Sequence, residues 1–323
     1  MKRRKFFQIT GTGAVGLSML GSCSRDKKTS QIPTTNNAIR ETPPYRKNIK
    51  KTFSKIAQKS ASDKVILALI GAGSFGTNLA LKTAGLQGNT RFKYVCDVDE
   101  TRGGRVISEL KKIQGFEPIR VKDMRKVFDD PEVDAVLIAT PEHWHALATI
   151  WACMAGKDVY VEKCISHNIF EGQQMIGAAM ENERIVQCGT QNRSAEYAYS
   201  AREYLKSGKL GELVSVHIKG MLPGPVPFNE KENGSAPDTL DWDMWLGPAP
   251  KVPYNLSRHK SWVYYWDYSG GHAWAGGMSH QLDMARLILN DPGFPKSVYC
   301  AGGRYFFDDG REVLPWVFGL PAF

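Results

Sequence analysis

The chain has 323 residues, 42% hydrophobic and 23% charged, with 31 Gly and 17 Pro. That composition excludes a collagen, a coiled coil, a wholly disordered chain and a polytopic membrane protein, and the length predicts two domains. The net charge of +9 does not signal nucleic acid: residues 1–62 carry 14 Lys and Arg against Asp26 and Glu41, so the remainder is slightly acidic and offers no basic face.

Residues 1–23 read as an address. Lys2, Arg3, Arg4 and Lys5 precede a Gly-rich apolar stretch to Leu20, the layout of a secretory signal, too short and too weakly apolar for a permanent span. Arg3-Arg4 followed by Lys5-Phe6-Phe7 resembles a twin-arginine export signal, and Leu20-Gly21-Ser22-Cys23 resembles a lipobox with Cys23 as the lipidated residue. The expectation is export to the periplasm, free or as a membrane-anchored lipoprotein; an unprocessed basic start is the plainer reading. Residues 24–62 are polar, without periodicity, and read as a linker. The remaining cysteines (Cys96, Cys153, Cys164, Cys188, Cys300) show no CxxC spacing and imply neither a zinc site nor a disulfide framework.

Residues 65–70 form a continuous apolar run, as a strand buried on both faces of a parallel sheet requires. It leads into Gly71-Ala72-Gly73-Ser74-Phe75-Gly76 and then a helical pattern. A GxGxxG between strand and helix is a dinucleotide signature: Gly71 makes the turn, Gly73 admits the pyrophosphate, Gly76 lets helix pack on strand, and Ser74 and Phe75 open the helix that faces the phosphates. The next strand, 92–96, ends at Asp97, 21 residues past Gly76. A carboxylate there accepts bonds from the ribose hydroxyls and repels a 2′-phosphate, so NAD is expected over NADP; the plainer reading of Asp97 is a helix N-cap. Further strands at 133–139, 158–161 and 184–188 alternate with helices. Each ends in a polar cluster: Thr140-Pro141-Glu142-His143-Trp144-His145, Glu162-Lys163-Cys164, and Gly189-Thr190-Gln191-Asn192-Arg193. In an open parallel sheet, that edge is where ligands bind.

These residues, with Asp241–Pro250 (DWDMWLGPAP) and His280–Arg286 (HQLDMAR), resemble the Gfo/Idh/MocA oxidoreductases over about residues 65–307, closest to an exported branch bearing GTQNRS. The resemblance implies an α/β fold class: a Rossmann domain with a doubly wound parallel sheet over 63–188, then an α/β domain with an open sheet over 189–323 that serves substrate binding and homo-oligomer contacts. It implies NAD(P) with its nicotinamide near Glu162-Lys163, and a sugar-like or cyclitol substrate. Lys163 matches the family's active-site lysine and His280 the histidine of its second catalytic element, with Asp283 on the same helix. Thr140, Pro141, His143, His145, Glu162, Lys163, Gln191 and Asn192 match cofactor-lining positions. The chemistry fits those roles. Oxidising a secondary alcohol needs a base for the hydroxyl proton while hydride leaves to the nicotinamide. His titrates near neutrality, and a lysine can stabilise a developing alkoxide or share the proton.

Three departures stand out. Cys164 replaces the family's Pro, Gly276 replaces an Asp four residues before His280, and family members continue well past the strand at 297–304. The chain is therefore expected to be C-terminally short, its open sheet built from 213–219, 297–303 and the apolar tail. His143-x-His145 supplies two ligands without a carboxylate cluster, so no metal is expected. Trp242, Trp245, Trp262, Trp266 and Trp274, in and just after the Gly/Pro-rich stretch 221–271, suit either stacking on a sugar ring or capping the sheet and packing a dimer surface. The expected function is an NAD(P)-dependent oxidoreductase acting on a carbohydrate or cyclitol hydroxyl. The alternatives are a glycosidase or lyase using transient sugar oxidation with no net redox, and a non-catalytic NAD- or sugar-binding remnant.

Overall fold

The computed structural model describes residues 64–86, 89–218, 227–271, 276–293, 295–303, 307–313 and 316–322. The signal, lipobox and linker expected over 1–62, and Trp274, lie outside the described residues.

The first half alternates strand and helix: β1 (Val65–Ile70), α1 (Ser74–Gly85), β2 (Thr90–Cys96), α2 (Gly104–Gln114), β3 (Ile119–Val121), α3 (Arg125–Phe128), β4 (Ala135–Ile138), α4 (His145–Met154), β5 (Asp158–Val161), α5 (Ile169–Glu181) and β6 (Val186–Cys188). All six strands pair in parallel, in the order β3-β2-β1-β4-β5-β6. The order reverses between β1 and β4, which opens a crevice at their carboxyl ends. The apolar run of β1 splits by the strand's period of two. Leu67 and Leu69 pack with Phe92, Val106 and Leu110 on one face. Ala68 and Ile70 pack with Val127, Ile138, Ala148 and Ala152 on the other. Each fully buried Leu or Ile contributes roughly 1.5–3 kcal/mol, so β1 anchors two layers at once. Asn168 caps α5 by accepting from the Glu171 amide, 2.9 Å away.

The later chain adds α6 (Glu196–Lys206), α7 (Trp242–Leu246), α8 (Leu256–Lys260) and α9 (Ser279–Ile288), then β7 (Ser297–Gly303) and β8 (Trp316–Ala322), an antiparallel pair in register from Ser297↔Ala322 to Gly303↔Trp316. The strand expected over 213–219 is not formed in residues 213–218. Leu213, Val214 and Val216 are all exposed, Val214 at 91%, and Leu213 and Val216 border a groove shared with Met284 and Ile288 of α9.

A third core gathers Leu240, Trp245, Leu246, Ala249, Tyr254, Tyr265 and Tyr268. Here Trp242 and Trp245 stack at 4.7 Å with an interplanar angle of 14°. Both tryptophans thus pack within this third core, and Trp245 also lines the crevice at the carboxyl edge of the sheet. This core is strapped to the end of β2 by backbone: Asp99 bridges Leu240, the Glu100 amide donates to Thr239 O at 2.8 Å, and the Asp241 amide donates to Val98 O at 3.1 Å. It also meets the turn before α4. Trp144 Nε1 donates to Trp245 O at 3.0 Å, and Gly247 packs so closely on the Trp144 ring that any Cβ would strike it.

Candidate active site

A cleft of about 310 Å³ follows the carboxyl edge of the sheet, lined by Gly71, Gly73–Gly76, Asp97, Asp99, Arg102, Thr140, Pro141, Lys260 and Trp262 among others. Gly71 turns with φ +91°, and a Cβ there would lie 2.6 Å from Ala139 O. A Cβ on Gly76 would run into the Gly71 carbonyl, whereas one on Gly73 would enter open space within the cleft. The first turn of α1 carries neither a side-chain cap nor an acidic residue, so its leading amides remain available to an anion. Thr140 Oγ1, another cleft residue, is a buried hydroxyl without a partner. Glycine cradle, uncapped helix and orphaned hydroxyl together fit a dinucleotide.

Asp97 closes the β2 end. Its Oδ2 accepts from the Ala72 amide at 2.8 Å and its Oδ1 from the Asp99 amide at 2.9 Å, and burial raises its pKa. The N-cap reading fails, because α2 begins at Gly104 with Gly103 as its cap.

Beyond β4 the sheet edge turns polar. His145, fully buried, sets Nε2 2.8 Å from Thr140 O and Nδ1 2.6 Å from Cys164 O, so it ties the β4 and β5 loops together from beneath the cleft surface. The structure does not bring His143 to the cleft. Its Nε2 lies 3.0 Å from Trp245 O, its ring packs on Trp245 and Tyr268, and burial depresses its pKa to about 4. Glu162 is buried in a network in which Tyr160 OH donates to Oε1 at 2.9 Å and Gln191 Nε2 donates to the same oxygen at 2.7 Å. Gly189 makes room for it: a Cβ there would sit 2.6 Å from Glu162 Oε1. Asn192 is exposed and borders a separate groove with Leu205, Met284 and Ile288.

Lys163 Nζ donates to Gly276 O at 2.9 Å, which brings the β5 end to the start of α9. His280, on α9, is partly buried and its Nδ1 has no hydrogen-bond partner; its pKa is lowered by burial and then by Lys163. Asp283 does not couple to His280 through a hydrogen bond. Arg193 Nε donates to both of its oxygens, at 2.8 and 2.7 Å.

Comparison with known proteins identifies the family of both parts of the chain. Residues 65–190 fit the model of the oxidoreductase family's NAD-binding Rossmann fold, and residues 226–303 fit that of its C-terminal alpha/beta domain. The chain belongs to the Gfo/Idh/MocA oxidoreductase family. Inositol 2-dehydrogenase 1 of Saccharopolyspora erythraea is 31% identical over 61% of this chain and 58% of its own length. The 2,7-anhydro-N-acetylneuraminate hydratase of Escherichia coli is 25% identical over 73% of this chain and 52% of its own length. The solved structure of levoglucosan dehydrogenase in complex with NADH and levoglucosan shares the fold at a TM-score of 0.56 and 22% identity, covering 81% of this chain and 64% of that one. The chain spans just over half the length of these two curated relatives.

In this Gfo/Idh/MocA chain, β1 to β6 are the NAD-binding Rossmann domain. Sequence reasoning missed three residues. Arg193 stood inside a quoted motif, but its partner lies 90 positions away. Glu142, buried, accepts from the Gly270 amide at 2.8 Å and so holds the approach to the Gly-rich stretch. Lys260 reaches the cleft from α8, and no motif marks it.

Proposed function

We propose that the protein is an NAD-dependent oxidoreductase moving hydride between a carbohydrate or cyclitol hydroxyl and the nicotinamide. The observation that carries this is the bond from Lys163 Nζ to the Gly276 carbonyl, which brings the β5 end to the start of the helix bearing His280, near enough for Lys163 to lower the His280 pKa. Bound NAD would supply the hydride acceptor. Gly73 and the α1 amides would hold its phosphates, Asp97 its adenosine ribose, and Thr140 and Pro141 its nicotinamide half. His280, its pKa lowered by burial, offers its imidazole to the substrate hydroxyl proton, and Lys163 turns from Gly276 O to the developing alkoxide. The carboxylate at Asp97 supports NAD over NADP.

The relationship to a hydratase favours a second reading, transient oxidation with no net redox. One assay separates the two. The full chain is incubated with NAD and panels of sugars, cyclitols and anhydro-sugars, with absorbance at 340 nm and product analysis read together. Accumulating NADH that disappears in Lys163→Met and His280→Gln supports the dehydrogenase. Product without NADH supports the second reading, and dinucleotide bound without any product overturns both.

Export is proposed on the Arg3-Arg4 pattern and lipid attachment on Cys23; cell fractionation of the parent and of Cys23→Ser tests both. Exposed Val298 and Tyr299 on β7 support association of copies through that sheet.

A further inference from the structure

The ribose corner of the cleft holds more positive charge than an NAD site needs. Arg102 Nε lies 3.6 Å and Lys260 Nζ 4.0 Å from the same buried oxygen, Asp99 Oδ2, and both line the cleft beside Asp97. Lys122 lines it too, but is matched by Glu100 at 2.9 Å. Two cations thus share one neighbouring carboxylate, and Asp97 completes the balance. Without the Asp97 charge, the corner would be net positive where a 2′-substituent of the adenosine ribose would sit. Lys260 is delivered by the strap rather than by the Rossmann domain, at the last position of α8. Asp97 is itself held back against the loop, each oxygen accepting one backbone amide.

We propose that Asp97 alone excludes a 2′-phosphate, and that Lys260 with Arg102 forms a ready 2′-phosphate site behind it. A cation at this corner is what accommodates that group in dinucleotide folds, and a bond between two charged groups outweighs a neutral one. This assignment rests on the dinucleotide reading given above. It adds that the second-half segment, through Lys260, supplies one of the cations that a 2′-phosphate meets once the Asp97 charge is gone.

The test is calorimetric titration of the full chain with ADP and with 2′,5′-ADP. The parent binds ADP more tightly. Asp97→Asn removes the charge, keeps a carbonyl acceptor for one of the two loop amides, and shifts the ratio toward 2′,5′-ADP by about ten- to hundredfold, the size of one charge-assisted bond. Adding Lys260→Met to Asp97→Asn removes about tenfold of that gain. Lys260→Met alone, which leaves both backbone bonds to Asp97 in place, weakens 2′,5′-ADP more than ADP. The assignment is overturned if Asp97→Asn gains nothing for 2′,5′-ADP, or if the gain survives the loss of Lys260. It is also overturned if Lys260→Met alone affects the two ligands equally. Failure of the parent chain to bind ADP at all would instead sink the dinucleotide reading, and this assignment with it.

Discussion

Gly73 and Gly76 stand three positions apart in one turn and are needed for opposite reasons. A methyl on Gly76 has nowhere to go, whereas a methyl on Gly73 meets only the cleft. Gly76→Ala should lower Tm by more than about 5 °C, the cost of overpacking a tight contact. Gly73→Ala should leave Tm within about 2 °C of the parent while weakening dinucleotide binding. Thermal melts with and without NAD decide it; equal melting losses in the two variants would contradict this assignment of roles. His280 carries a second expectation at this scale. Burial and Lys163 both lower its pKa, so the imidazole stays neutral to a more acidic pH than a free histidine. The acid limb of kcat/KM should therefore fall below the ordinary histidine value of 6.5 and disappear in His280→Gln. A limb at or above that value would mean that another group is the base.

Between elements, the Arg193–Asp283 pair sets how α9 faces the turn that follows β6. Asp283 and His280 are one helical turn apart, so a pair that fixes the first orients the second. Arg193→Leu should lower kcat about ten- to hundredfold with KM nearly unchanged, since the loss is one of alignment; Arg193→Lys should recover part of it. An equal loss in Arg193→Leu and Arg193→Lys, tracking Tm, would reduce the pair to a structural tie. This scale also separates what was legible in the sequence from what was not. The strand–glycine–helix unit of β1 and α1 is readable because its demands are local: an apolar run, a turn and a helix start. Asp97 could be placed by its spacing from Gly76. Residues 213–218 show an alternation that a partner strand would have to complete, and pattern alone cannot report whether one is present. His143 sits in a motif whose chemistry suggests ligand contact, yet its neighbours Trp245 and Tyr268 come from far along the chain and enclose it. Arg193, Glu142 and Lys260 gain their meaning from partners that only the tertiary fold supplies.

For the whole molecule, two buried histidines set the response to acid. His143 and His259 each have a pKa lowered from 6.5 to about 4, by burial first, with Lys260 adding to the effect at His259. The unfolded chain therefore binds more protons than the native one between those values, and stability rises with pH across the window. Stability present at pH 7 is lost as pH falls from about 6.5 toward 4, by roughly 2 kcal/mol per histidine at pH 5. Urea unfolding at pH 7 and pH 5 should show this difference, and His143→Gln should flatten the slope by about half. An unchanged slope in that variant would mean that carboxylates govern the acid response.

The bridge from Asp99 to Leu240 orders events in time as well as space. It joins positions about 140 residues apart, far more than separate adjacent strands of the Rossmann sheet, so its loop is among the later ones to close. On a ribosome, the glycine cradle can assemble while the outer wall of its own cleft is still being synthesised. In refolding, far-ultraviolet ellipticity should then recover before the fluorescence of Trp242 and Trp245. A chain interrupted between those two moments would hold a half-walled cleft, open along the side that Lys260 and Trp262 later occupy.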